Sequence, residues 1–175
     1  MRCVVVAWLF SALLAAQPAS AVTAADVPVG KGEIKVALGN TELQVFTYRP
    51  MNWSGERMLI VMHGVLRNAD EYRDHAVGMG DRFDALVVAP KFDSERFPNS
   101  AYHRGGVLRE DMSAAPPEEW TYALIPKLAA AMRDVTGKPG LPYWIIGHSA
   151  GGQFVMRMSA FQDTGAERLV AANPG

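Results

Sequence analysis

The stretch Tyr143–Phe161 constrains this chain most, because an apolar run, a Gly-x-Ser-x-Gly pentad and an amphipathic segment follow one another without a spacer. Tyr143–Ile146 has the composition of a buried strand. Ala150–Phe161 places Phe154, Val155, Met158 and Phe161 on one helical face. Between them lies Gly147-His148-Ser149-Ala150-Gly151. A strand that must become a helix within so few residues turns sharply, and Gly147 and Gly151 leave room for the turn and for close helix–strand packing. Ser149 is then lifted to the carboxyl end of the strand. The backbone N–H of Ala150, at the helix N-terminus, points where an oxyanion would form. The blander reading of the same residues is a tight βα turn whose serine caps the helix.

Strand and helix signals alternate through the rest of the chain. Glu33–Leu38 and Glu42–Tyr48 are β-rich runs separated by Gly39-Asn40, which is hairpin chemistry. Arg57–His63 is almost continuously apolar and reads as a central parallel strand, with Leu86–Pro90 as another. Asn68-Ala69-Asp70-Glu71 predicts a helix opened by a capping box. Lys91 to about Ala115 reads as a long polar loop, a length that is usually functional or disordered. Pro116-Pro117-Glu118-Glu119 opens a further helix running to about Thr136, which Gly137 and Pro139 end. Pro126 should kink that helix or mark its true start. Arg168–Ala172 begins a last strand. The alternation predicts an α/β fold with an open, mostly parallel sheet and an antiparallel N-terminal hairpin.

His63-Gly64 stands 86 positions before Ser149, at the end of the earlier buried strand. Strand, His-Gly, and much later Gly-x-Ser-x-Gly at a strand-to-helix turn resembles the α/β-hydrolase family. The resemblance runs from Glu33 to Ala172 in order of elements. The Ser-Ala-Gly-Gly ending is similar to the secreted polyhydroxybutyrate-depolymerase and feruloyl-esterase branch. It implies that Ser149 is a nucleophile and that the His63–Asn68 stretch is the oxyanion loop. The second oxyanion N–H would come from Val65, with Leu66 as second choice, beside that of Ala150. The implied substrate is a small-molecule or polymeric carboxylic ester, with no metal and no cofactor. His148 occupies the variable position of the pentad and should point away from the hydroxyl. His63 is expected to shape the loop, and Asn68 to cap a helix. Arg67 reads as a loop salt-bridge or a substrate-edge residue, and the two are not separable. His103 and Arg104 read as solvated loop, with a place lining the cleft as the alternative, and Asp163 as part of a polar turn with Gly165.

In this family the order is serine, acid, then histidine. The four histidines are His63, His75, His103 and His148, and none follows Ser149. Asp163 and Glu167, the acids after it, precede the last strand. The expectation is a partial α/β-hydrolase domain, weak or inactive by itself, whose last strand is an open edge through which chains could associate. The alternative is a non-catalytic scaffold or ligand-binding fragment.

The first 21 residues read as an address. Arg2 precedes the 14-residue apolar run Cys3–Ala16, and Ala19-Ser20-Ala21 has the small-x-small form of a cleavage site. The run is short of the ~20 residues a spanning helix needs. The expected mature chain, 22–175, would have no cysteine, no membrane attachment, and a secreted or periplasmic location. The whole sequence carries 17 basic and 18 acidic residues, with no basic run to suggest a nucleic-acid surface.

Overall fold

The structure, a computed structural model, describes residues 27–175. The expected signal segment lies outside the described residues. Two antiparallel strands come first, β1 (Gly30–Leu38) and β2 (Thr41–Arg49), joined across Gly39-Asn40. Then follow β3 (Arg57–Met62), the short helices α1 (Ala69–His75) and α2 (Val77–Phe83), and β4 (Ala85–Pro90). After a long connection containing α3 (Asn99–Tyr102) come α4 (Leu124–Thr136), β5 (Tyr143–His148), α5 (Ala150–Phe161) and β6 (Arg168–Ala172).

The six strands form one sheet in the order β1-β2-β4-β3-β5-β6. β2 pairs antiparallel with β4, while β4, β3, β5 and β6 run parallel. Side chains alternate across β3 because a strand has a two-residue period. Met58, Ile60 and Met62 face α4 and α5, joining Leu128, Met132, Phe154 and Met158. Leu59 and Val61 face the other way, joining Ala69 and Ala76 around α1 and α2. Both faces of β3 and β4 are thus covered, which is why their sequences are apolar throughout. β6 differs: it is an edge of the sheet, and Arg168–Ala171 are exposed.

Three expectations need correction. Asn68 does not cap α1. Its amide donates instead to the Glu71 carboxylate at 2.6 Å, so the two side chains that would satisfy backbone N–H groups satisfy each other. The segment after Lys91 is not simply polar. Phe92, Phe97 and Tyr102 are buried in the core, with the Phe92 and Tyr102 rings 5.7 and 5.3 Å from Phe154. The helix expected at Pro116 begins later. Two 3-10 turns, Pro117–Glu119 and Thr121–Ala123, precede α4, and Pro126 sits in its first turn, where a missing N–H costs nothing. Gly137, at φ 67°, ends α4 as expected.

Candidate active site

The parallel registers assemble the site. Met62 lies opposite Gly147, and Gly147 and His148 lie opposite Ala171 and Ala172. The chain leaving β3 and the chain leaving β5 therefore emerge side by side at one rim of the sheet. Ser149 stands between β5 and α5 at φ 55° and ψ −121°, its N–H donating to the Ala172 carbonyl at 3.0 Å. Its hydroxyl makes no capping bond to α5. That removes the reading of Ser149 as a helix cap and leaves its conformation unexplained by secondary structure alone.

The glycines permit the turn. A Cβ on Gly147 would run into the Gly151 carbonyl, and one on Gly151 into the backbone carbonyls of Met62 and His63. One on Gly152 would meet the Ala172 carbonyl at 2.5 Å. The start of α5 is thereby pressed against both neighbouring strand ends. The first N–H groups of a helix, Ala150's here, have no intrahelical partner.

The loop after β3 is built from the opposite side. His63 is fully buried. Its Nε2 accepts the Phe92 N–H at 3.0 Å, which leaves Nδ1 to donate to the Gly64 carbonyl at 2.9 Å. Burial, opposed by the bond to Gly64 and aided by the Arg67 charge, pushes its pKa down to about 4. His63 is thus a neutral strut. The Tyr102 hydroxyl donates to the His63 carbonyl at 2.7 Å, and the two rings stack at 4.6 Å. A Cβ on Gly64 would approach the Tyr72 hydroxyl to 2.6 Å, so a side chain there would displace that ring.

Arg67 fits neither role expected of it. It is buried, at φ 61°, and donates to the carbonyls of Phe92 (3.1 Å) and Phe97 (3.0 Å) and to Asn99 Oδ1 (3.2 Å). Its guanidinium lies 4.3 Å from the centroid of the Tyr102 ring. Val65 and Leu66, between this anchor and His63, are exposed at the rim. Sequence reasoning missed Tyr102 and the inward Arg67; the cluster of aromatic residues at 92, 97 and 102 was the available signal.

His148 is exposed, its Nε2 3.3 Å from the Asn173 amide. With His75, Tyr72 and Asn68 it borders an apolar cavity of about 430 Å³ beside Gly147. His103 is half-buried, and burial with the nearby charges of Arg67, Arg157 and Arg104 lowers its pKa. Arg104 is exposed. Asp163 accepts the Gly165 N–H at 3.1 Å in a surface turn. Among the described residues no group of three His, Cys, Asp or Glu side chains is placed to hold a metal ion, and no helix is long and apolar enough to cross a membrane.

A six-stranded sheet in this order, with a strained serine between the fifth strand and its helix, defines a class, and comparison with solved structures bears it out. The chain belongs to the α/β-hydrolases by fold. A poly(aspartic acid) hydrolase from a Sphingomonas species is 34% identical, with a TM-score of 0.77, over 83% of this chain and 56% of that one. A poly(3-hydroxybutyrate) depolymerase from Bordetella parapertussis is 32% identical, with a TM-score of 0.74, over 83% of this chain and 54% of that one. A carboxyl esterase from Bacillus coagulans shares the fold at 18% identity and a TM-score of 0.51, over 79% of this chain and 43% of that one. The chain therefore spans about half the length of the solved proteins it resembles. No protein-family model matches the sequence, and neither does any curated protein.

Proposed function

We propose that this chain carries the nucleophile and the oxyanion hole of a secreted serine hydrolase acting on carboxylic esters. The observation that carries the reading is Ser149. It is held at φ 55° at the carboxyl end of an interior strand, with a hydroxyl that does not cap its helix. Ser149 Oγ attacks the ester carbonyl, and the N–H groups of Ala150 and Val65 hold the oxyanion. A histidine takes the hydroxyl proton and returns it to the leaving alcohol, and water then releases the acid. The poly(3-hydroxybutyrate) depolymerase among the similar structures favours a polymeric ester as substrate.

A specific observation supports a second reading for residues 22–175 alone, as a non-catalytic scaffold. His63 is locked by bonds at both ring nitrogens, His148 is directed to Asn173, and neither engages Ser149. On this reading the triad acid and histidine lie outside residues 27–175, and the chain by itself turns over activated esters barely, if at all. Losing triad members of a serine hydrolase costs roughly a millionfold.

The experiment has two arms. The purified chain and its Ser149→Ala variant are assayed on p-nitrophenyl butyrate, with no Ser149-dependent turnover expected. The gene is also read past the Gly175 codon for an in-frame acid and histidine, and any longer product is assayed with and without Ser149→Ala. Hydrolysis by the longer product that survives the substitution would overturn the nucleophile. Ser149-dependent turnover by the short chain would show that one of its own histidines is the base.

A further inference from the structure

A second cavity, of about 730 Å³, lies on the opposite side of the sheet from the one beside Gly147, between α5 and the segment 100–112. Its apolar wall is Val107, Leu108, Met112 and Phe161, the last three well exposed. Arg104 and Arg157 also line it, and among the described residues neither is paired with a carboxylate. Arg157 is braced through one nitrogen, donating to the His103 carbonyl at 2.8 Å and to Gln153 Oε1 at 3.2 Å. Its second terminal nitrogen remains available. Arg109 is engaged by Glu119 at 3.0 Å, and Glu110, also on the lining, is exposed.

The wall is well held. The Gly105 backbone sits against the Tyr122 ring with no room for a Cβ, and Thr121 N–H donates to the Gly105 carbonyl at 2.8 Å. Ala115 N–H donates to Val107 at 2.9 Å, and Leu108 bridges Ala114. Local charge is positive. Burial together with the charges of Arg67, Arg157 and Arg104 lowers the pKa of the neighbouring His103, and its Nε2 is buried without a partner.

We propose that this cavity binds an amphipathic carboxylate, with its hydrocarbon body on Leu108, Met112 and Phe161 and its carboxylate between Arg104 and Arg157. A guanidinium matches a carboxylate with two parallel N–H donors, and the apolar wall supplies the burial that a bare anion would not use. Gln153, Arg157 and Phe161 continue, at four-residue spacing, the stripe of α5 that begins at Ser149. Arg157 is eight residues on, about 12 Å along the helix. Ester hydrolysis at Ser149 generates a carboxylate, so the cavity would hold an acid product or the acid end of an oligomeric substrate. That link rests on the proposed function; the binding itself does not.

The probe is octanoate, titrated into the whole chain and followed by amide NMR shifts, with octanol and octylammonium as controls of equal length. Octanoate is expected to saturate, with shifts at residues 100–112 and 157–161, and to bind roughly tenfold tighter than octanol. Arg104→Gln should weaken it by about tenfold, Arg104→Gln with Arg157→Gln by more, and Ser149→Ala not at all. Because Arg157 also braces the loop, Met112→Glu provides an independent variant at a side chain that makes none of the arginine hydrogen bonds. It should weaken both ligands by removing part of the apolar wall, and octanoate more than octanol because the new carboxylate repels it. Equal binding of octanol and octanoate, octanoate binding unchanged in Arg104→Gln and Met112→Glu, or no saturation at millimolar octanoate would each overturn the proposal. An effect of Ser149→Ala would instead place the ligand at the serine.

Discussion

At Ser149 the backbone adopts φ 55° and ψ −121°, a conformation that costs an L-residue about 1–3 kcal/mol and persists only when its surroundings over-determine it. Here the surroundings are the two glycines and the strand ends they touch. Gly151→Ala would drive a methyl group into the carbonyls of Met62 and His63, and backbone cannot swing aside as a side chain can. It should lower the unfolding free energy by about 3 kcal/mol, read as a shift of the urea midpoint. Gly78→Ala is the matched control. Its Cβ meets nothing within 4 Å in α2, so it should raise stability by about 0.5–1 kcal/mol. His63 contributes a pH dependence of definite sign. Its folded pKa, about 4, lies below the ordinary 6.5, so the unfolded chain binds the extra proton first. The stabilisation is fully present above pH ~6.5 and falls away as the pH drops toward ~4, by about 3 kcal/mol in total. Urea melts at pH 7 and pH 4.5 should show a smaller loss for His63→Asn than for the unchanged protein; equal losses would mean that His63 titrates freely.

Among the elements, the rim loop after β3 is the one whose shape depends most on distant chain. Arg67 ties it to the carbonyls of Phe92 and Phe97, and Tyr102 ties it to its own first residue. One planar guanidinium reaches acceptors five residues apart, which a lysine ammonium does not reproduce. Arg67→Lys should therefore cost about 2–3 kcal/mol through carbonyls left buried and unpaired. It should also speed amide exchange at 64–68 more than in β3 itself, measured by hydrogen–deuterium exchange. Uniform acceleration across both would mean that Arg67 stabilises the sheet rather than the loop. α5 is the contrasting element. Phe154, Val155 and Met158 bury against the sheet, while Phe161, on the same expected face, is exposed because its neighbours there are the rings of Trp120 and Tyr122 and a cavity.

For the whole molecule, the asymmetry of the sheet is the dominant feature. One edge is the β1–β2 hairpin; the other is β6, with Leu169 and Val170 exposed. Beside β6, Trp144, Phe83, Met79 and Val170 border a cavity of about 420 Å³. An unpaired strand edge next to apolar surface is a template for another chain. The purified protein should self-associate at tens of micromolar, seen as a rise of weight-average mass with concentration in sedimentation equilibrium. Val170→Lys, a charge placed on that edge, should reduce the association severalfold. A monomer at all concentrations would argue that β6 is protected in some other way.

The core strands, the hairpin, the exact span of α5 and the glycine-bounded serine turn were legible in the sequence because each follows from local rules. Apolar runs of strand length, helical periodicity and the steric needs of glycine all act within a dozen residues. The α/β-hydrolase class came from a resemblance, carried by His63-Gly64 and the Gly147–Gly151 serine turn in that order of elements. Tertiary structure alone decided the rest. Asn68 bonds to Glu71 instead of capping, because a side chain with two available partners takes the one the packed loop presents. Arg67 turns inward because three acceptors, 25 to 32 residues away in sequence, converge on it. The segment after Lys91 is ordered because Phe92 and Tyr102 pack on Phe154 and His63, with Phe97 against Phe92. The aromatic residues of the segment mark it as buried but do not name their partners, which are brought together only when β3, β4 and β5 pair in register.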